Sequence, residues 1–96
     1  MKKSSEDGWW LFLDICADAK NKVQLDEIFN LVLTIDERED IAARMLIIKD
    51  LIEGNKTQRQ LASERKVSIA KITRGSNSLK IVGEKLQKYL SKKLKT

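Results

Sequence analysis

The segment Trp9-Trp10-Leu11-Phe12-Leu13-Asp14-Ile15-Cys16-Ala17 constrains the fold more than any other. As a helix it is apolar on nearly every side for two turns, and a helix that is apolar all round must be covered all round. A chain of 96 residues has little material left to do this. Such a chain builds one core and buries only about 60–65% of the surface its unfolded form exposes. The simplest cover is a second copy of the chain. Four of the five aromatic residues lie within residues 9–29, which places a dimer core there. The alternative is a monomer with a large exposed apolar patch, which is uncommon in soluble proteins.

Proline is absent and glycine occurs only four times. With helix breakers this scarce, an all-α fold is expected. There is no His and one Cys, Cys16. That excludes His-based acid–base catalysis, a Cys/His zinc site and an intrachain disulfide. No stretch reaches the roughly 20 apolar residues needed to cross a bilayer. Asp14 and Asp18 interrupt the only signal-like run. The chain reads as mature, soluble and cytoplasmic.

Local patterns predict about six helices. The first covers the apolar run, and a second spans about 24–32 with Leu25, Ile28, Phe29 and Val32 at helical spacing. Thr34-Ile35-Asp36-Glu37 is a capping box, opening a helix with the stripe Ile41, Met45, Ile48 and Leu51/Ile52. Gly54 stops it in a left-handed conformation. Thr57-Gln58-Arg59-Gln60 is a second box and opens a short helix, about 58–64, with Leu61 and Ala62 inward. After a break at Arg65–Val67, Ser68 caps a helix over about 69–81. Gly83 and Glu84 open the last, with Leu86, Tyr89, Leu90 and Leu94. The organisation expected is one domain over 1–96: a disordered arm at about 1–7, a dimer core at 8–54, a helix-turn-helix at 57–81 and a C-terminal helix at 84–96.

Charge is divided along the chain. Residues 1–53 carry 7 Lys/Arg against 12 Asp/Glu, and residues 54–96 carry 12 against 2, a net of +10. The basic half suits a polyanion. A solvated helix face would show the same count, and an anionic membrane is disfavoured because this half lacks an aromatic-rich apolar face. Two short capped helices joined by a tight turn suggest a DNA-reading helix-turn-helix. Lys66 holds the turn position where Gly is usual, and a left-handed Lys costs about 1 kcal/mol or more, so a turn of altered shape is expected.

On a wheel of about 100° per residue, residues 69–80 separate into three stripes. Ile72, Ser76 and Leu79 suit a core. Ile69, Ala70, Thr73, Asn77 and Lys80 form a second stripe, mostly polar or small. Lys71, Arg74, Gly75 and Ser78 form a third face, basic and cut back by Gly75. Gly within a helix costs about 1 kcal/mol against Ala. It leaves room either for a ligand against the backbone or for close helix–helix packing, and the Gly alone favours packing.

The run Ile72-Thr73-Arg74-Gly75-Ser76-Asn77-Ser78-Leu79-Lys80, with Thr34-Ile35-Asp36-Glu37-Arg38-Glu39 and Thr57-Gln58-Arg59 before it, closely resembles the bacterial tryptophan repressor family over about residues 9–90. The resemblance implies an all-α, intertwined homodimer of six helices per chain with a helix-turn-helix head. It implies a repressor of tryptophan-related genes that binds operator DNA with L-tryptophan as corepressor and no other cofactor. It places Arg44 and Arg74 on the two faces of the indole, where guanidinium planes stack well. Arg74 and Thr34 would hold the carboxylate. The carbonyls of Leu31 and Leu33 would accept from the ammonium, assisted by Ser78, and Gly75 would leave space for the ring. Lys71 departs from the family, which commonly has Thr there, and sets a further cation beside the ligand unless its stem bends to solvent.

The expected DNA face is Ile69, Ala70, Thr73, Asn77 and Lys80, with Thr57, Gln58 and Arg59 at a helix N-terminus suited to a phosphate. Two other readings stay open: a ligand-independent helix-turn-helix DNA-binding protein, and a helical protein-interaction module. An enzyme is disfavoured, since the carboxylates show no evident acid/base pair.

Overall fold

The computed structural model describes residues 5–94, which form six helices with no strand among them. They are α1 (Ser5–Ala17), α2 (Lys22–Val32), α3 (Ile35–Glu53), α4 (Gln58–Arg65), α5 (Ile69–Ile81) and α6 (Glu84–Leu94). The all-α expectation and the helix count are borne out. The chain divides into two compact units between Glu39 and Asp40, a point inside α3.

In the first unit, α1 and α2 contain no buried residue. Trp9, Trp10 and Leu11 are more than half exposed, and Leu31 is 86% exposed. The aromatic rings make a short chain between the two helices: Trp9 to Phe12 at 5.7 Å between centroids, then Phe12 stacked on Phe29 at 5.6 Å. The expected disordered arm needs correcting, because Ser5, Glu6 and Asp7 are already helical; residues 1–4 lie outside the described residues. The acidic first turn suits the positive end of the helix dipole, and Trp10 Nε1–H donates to Glu6 Oε1 at 3.2 Å. α2 starts earlier than its apolar spacing suggests, because Asn21 caps it. The Asn21 side chain accepts from the Gln24 N–H, and the Gln24 side chain accepts from the Lys20 N–H.

Both expected capping boxes form. Thr34 Oγ1 accepts from the Glu37 N–H at 3.1 Å while Glu37 Oε1 accepts from the Thr34 N–H at 2.8 Å. These bonds hold the Glu37 carboxyl below its ordinary pKa, the backbone N–H of Thr34 contributing most. Thr57 and Gln60 repeat the arrangement at the start of α4. Ser68 caps α5 by accepting from the Lys71 N–H. Gly54, at φ 70°, ends α3 as expected.

The second unit has a small core: Ile47 from α3, Leu61 and Ala62 from α4 and Ile72 from α5, with Leu51 and Val67 packed against it. Ile47 was not on the stripe expected for α3, and Ile41 and Met45, which were, are each 46% exposed. α3 is apolar at 41, 45, 46, 47, 48, 51 and 52, most of its circumference, so spacing cannot select the buried side. The turn between α4 and α5 keeps the left-handed form despite its lysine, with Lys66 at φ 56° and ψ 45°. The Val67 N–H donates to the Ala62 carbonyl at 3.0 Å. This closure delivers Val67 to the core, a gain that offsets the strain of Lys66.

Two links tie the outer helices of this unit together. Arg65 of α4 grips Asp50 of α3 with Nε and Nη2. Gln87 of α6 donates through Nε2 to the carbonyls of Leu79 and Val82, both at 2.9 Å. The latter satisfies last-turn acceptors of α5 that the helix itself leaves open.

Candidate functional site

On α3, residues 40, 43, 44, 47 and 48 share one face by their spacing of three and four, and on α5 residues 71, 74, 75 and 78 do the same. In the second unit these two faces and Val67 enclose a pocket of about 160 Å³. Its walls are apolar at Ala43, Ile47, Ile48 and Val67 and polar at Asp40, Arg44, Lys71, Arg74 and Ser78. Three cations therefore stand against one carboxylate. Arg44, Lys71 and Arg74 make no side-chain hydrogen bond or ion pair among the described residues. A space of this kind suits a ligand with an apolar body and an anionic group. Asp40 is its single carboxylate, and no group of three or more metal-binding side chains occurs among the described residues.

Four of the residues expected at the ligand, Arg44, Arg74, Gly75 and Ser78, line this one pocket. Leu31, Leu33 and Thr34 belong to the first unit. Thr34 uses its oxygen to accept from Glu37, which leaves its own O–H to donate. Lys71 is exposed and still lines the pocket.

Gly75 serves close packing. A Cβ built there would stand 3.3 Å from both Ile47 Cγ2 and Leu51 Cδ1, so α5 approaches α3 more closely than a larger residue would allow. The same close approach forms one wall of the pocket. Close packing, which the glycine alone favours, is therefore present, and the same residue lines the pocket.

The expected DNA-face residues Thr57, Gln58, Arg59, Ile69, Ala70, Thr73, Asn77 and Lys80 are all exposed. Thr73 Oγ1 donates to Gln58 Oε1 at 2.9 Å, joining the start of α4 to the outer face of α5. A shallow hollow on that face is lined by Ile69, Ala70, Thr73, Arg74, Asn77, Ser78 and Ile81. Ile81, 84% exposed, escaped the sequence reading, although it continues the four-residue spacing of 69, 73 and 77. Arg74 and Ser78 line both the pocket and this hollow.

A family model described as "Trp repressor protein" matches residues 7–94. The chain belongs to this family. Among curated Trp repressor relatives, a protein of Chlamydia trachomatis serovar D named "Trp operon repressor homolog" is 43% identical over 94 residues, 98% of this chain and 100% of that one. Proteins with the same name from Chlamydia caviae and Vibrio cholerae are 43% and 38% identical, over 93% and 83% of this chain and 88% and 78% of theirs. The Trp repressor family is one of regulatory proteins rather than enzymes. No helix among the described residues is long and apolar enough to cross a membrane.

Proposed function

We propose that this member of the Trp repressor family is a cytoplasmic, sequence-specific DNA-binding repressor of tryptophan-related genes, and that L-tryptophan raises its affinity for operator DNA. The observation that carries this reading is the shared position of Arg74 and Ser78. They line the pocket on one side and the outer hollow of α5 on the other. A ligand held by Arg74 thereby acts on the helix that enters the major groove.

Arg44 and Arg74 clasp the indole, Arg74 binds the carboxylate, and Ile47, Ile48 and Val67 exclude water from the ring. α5 reads DNA through Ile69, Ala70, Thr73 and Asn77; Lys80 and the Thr57–Arg59 turn hold phosphates. The roles of Leu31, Leu33 and Thr34 remain those the resemblance implies. Coupling follows if the ligand binds the DNA-competent state more tightly than the empty one. The working form is a homodimer, supported by the exposure of Trp9, Trp10, Leu11, Leu31 and Ile35 in the single chain. Two heads then address half-sites about one helical turn apart, as in helix-turn-helix dimers generally, this family among them.

Fluorescence anisotropy of a labelled operator duplex tests the reading, with L-tryptophan expected to tighten binding. An unchanged affinity at saturating ligand would remove the corepressor role. The ligand-independent alternative draws support from Lys71, a third cation that lines the pocket beside Arg44 and Arg74. Calorimetry of the DNA-free protein with L-tryptophan separates the two, since only the corepressor reading requires heat of binding.

A further inference from the structure

The last helix carries charge that the repressor reading does not use. Lys85, Lys88, Lys92 and Lys93 of α6 are all exposed. At about 100° per residue, Lys85, Lys88 and Lys92 fall within an arc of about 60°. Tyr89, 59% exposed, lies beside that arc. Glu84, the one acid of the helix, pairs only with Lys88, at 3.1 Å and in full solvent. Lys85, Lys92 and Lys93 make no ion pair or side-chain hydrogen bond among the described residues.

The place of this face matters as much as its charge. Gln87 anchors α6 to the carbonyls of Leu79 and Val82 at the C-terminal end of α5. Ile69 and Ala70 stand at the other end, about 15 Å away along the helix axis. A helix-turn-helix enters the groove by the N-terminal residues of its second helix, so α6 is anchored at the end that stays outside. From Lys85 to Lys92 the helix rises about 10 Å, the axial span of about three phosphates of one DNA strand.

We propose that the Lys85–Lys88–Lys92 face of α6, edged by Lys93, is a second, sequence-independent surface for duplex DNA, apart from the α4–α5 head. The inference rests on the DNA-binding reading above and extends it. Charge complementarity selects the partner: residues 54–96 carry a net of +10, and lysines along one line neutralise phosphates without reading bases. A lipid surface would need an apolar face to insert. Leu90 and Leu94 are half-buried, leaving only Leu86 and Tyr89 for that purpose. A repressor seated by its head can then hold a second stretch of duplex and draw two segments of one DNA molecule together.

The test uses the full chain and a duplex that it enriches from a random-sequence pool, immobilised on beads. Wild-type protein bound there is expected to capture a labelled duplex of unrelated sequence. Combining Lys85→Gln, Lys92→Gln and Lys93→Gln should leave the immobilised duplex bound and reduce capture of the second at least tenfold. The slope of log affinity against log salt for the unrelated duplex should fall by about 2–3, near 0.9 for each lost phosphate contact. The matching triple Lys→Arg variant should retain capture, which separates charge from damage to the fold. Equal capture by wild type and the Gln variant overturns the proposal, as does wild-type protein that holds the first duplex and never a second. Loss of binding to phosphatidylserine vesicles in the Gln variant, with duplex capture intact, also overturns it, in favour of lipid. Wild-type protein that binds no duplex at all overturns the DNA-binding reading along with it.

Discussion

Arg65 holds Asp50 by two parallel hydrogen bonds, Nε to Oδ2 at 2.7 Å and Nη2 to Oδ1 at 3.0 Å, across the turn between α3 and α4. The bonds from Arg65 keep the Asp50 carboxyl below its ordinary pKa, outweighing the opposing effect of burial. A carboxyl lowered by folding stabilises the native state above its unfolded pKa, about 3.9. That contribution is lost as pH falls through the lower, folded value. Asp50→Asn should therefore be less stable than wild type at pH 7, and the gap should shrink from about pH 4 downward. Urea unfolding at pH 7 and at pH 2.5 measures it; a gap of equal size at both would contradict the assignment.

Lys66 is held left-handed with no glycine to ease it. Lys66→Gly removes the clash of Cβ with the following carbonyl and should stabilise the protein by about 1 kcal/mol. Thermal unfolding would show a raised midpoint. A lowered one would mean that the lysine side chain makes a contribution larger than its backbone strain.

Gly75 leaves only 3.3 Å between a would-be Cβ and its neighbours Ile47 and Leu51. Gly75→Leu should therefore cost stability as well as pocket space, by about 1–3 kcal/mol for overpacking. A melt unchanged from wild type would show that α3 can yield. Loss of ligand binding in that variant is evidence about the pocket only if the folded fraction is measured in the same sample.

Arg74→Ala should remove the tryptophan response while leaving the melt within about 0.5 kcal/mol of wild type, because Arg74 is exposed and makes no side-chain hydrogen bond or ion pair among the described residues. Calorimetry is the readout for the first part and circular dichroism for the second. Normal heats of tryptophan binding would take the ligand out of this pocket.

Lys80→Ala should weaken DNA binding about equally across sequences and reduce the salt slope by about 0.9, as for one lost phosphate contact. Competition with operator and unrelated duplexes distinguishes the cases. A loss confined to one sequence would make Lys80 a base reader.

Local chemistry made much of this molecule readable before its structure. The boxes at Thr34–Glu37 and Thr57–Gln60 each join two groups three residues apart, so the chain order alone states the contact. The Asn21–Gln24 cap has the same spacing, although the Gln24 side chain accepts from the Lys20 N–H rather than from Asn21. The pocket was legible on α5, where Lys71, Arg74, Gly75 and Ser78 recur at helical spacing, and Arg44 came only through family resemblance. Ile47 was not legible, because a helix apolar on most sides gives no preferred direction. Arg65–Asp50 and Gln87–Leu79 were hidden for another reason. Each spans separate helices, and nothing in one helix's sequence names its partner in the next.

The hydrogen bond from Thr73 to Gln58 makes two side chains of the outer face a single mechanical piece. With its proton directed at Gln58, the threonine hydroxyl turns only lone pairs outward, while the amide nitrogen of Gln58 stays available to donate. On the DNA-binding reading proposed above, a nucleotide that demands a donor from position 73 would first have to break that bond. The preference of the head at one base pair would then be written jointly at positions 58 and 73, and changing either residue would rewrite what the other can recognise.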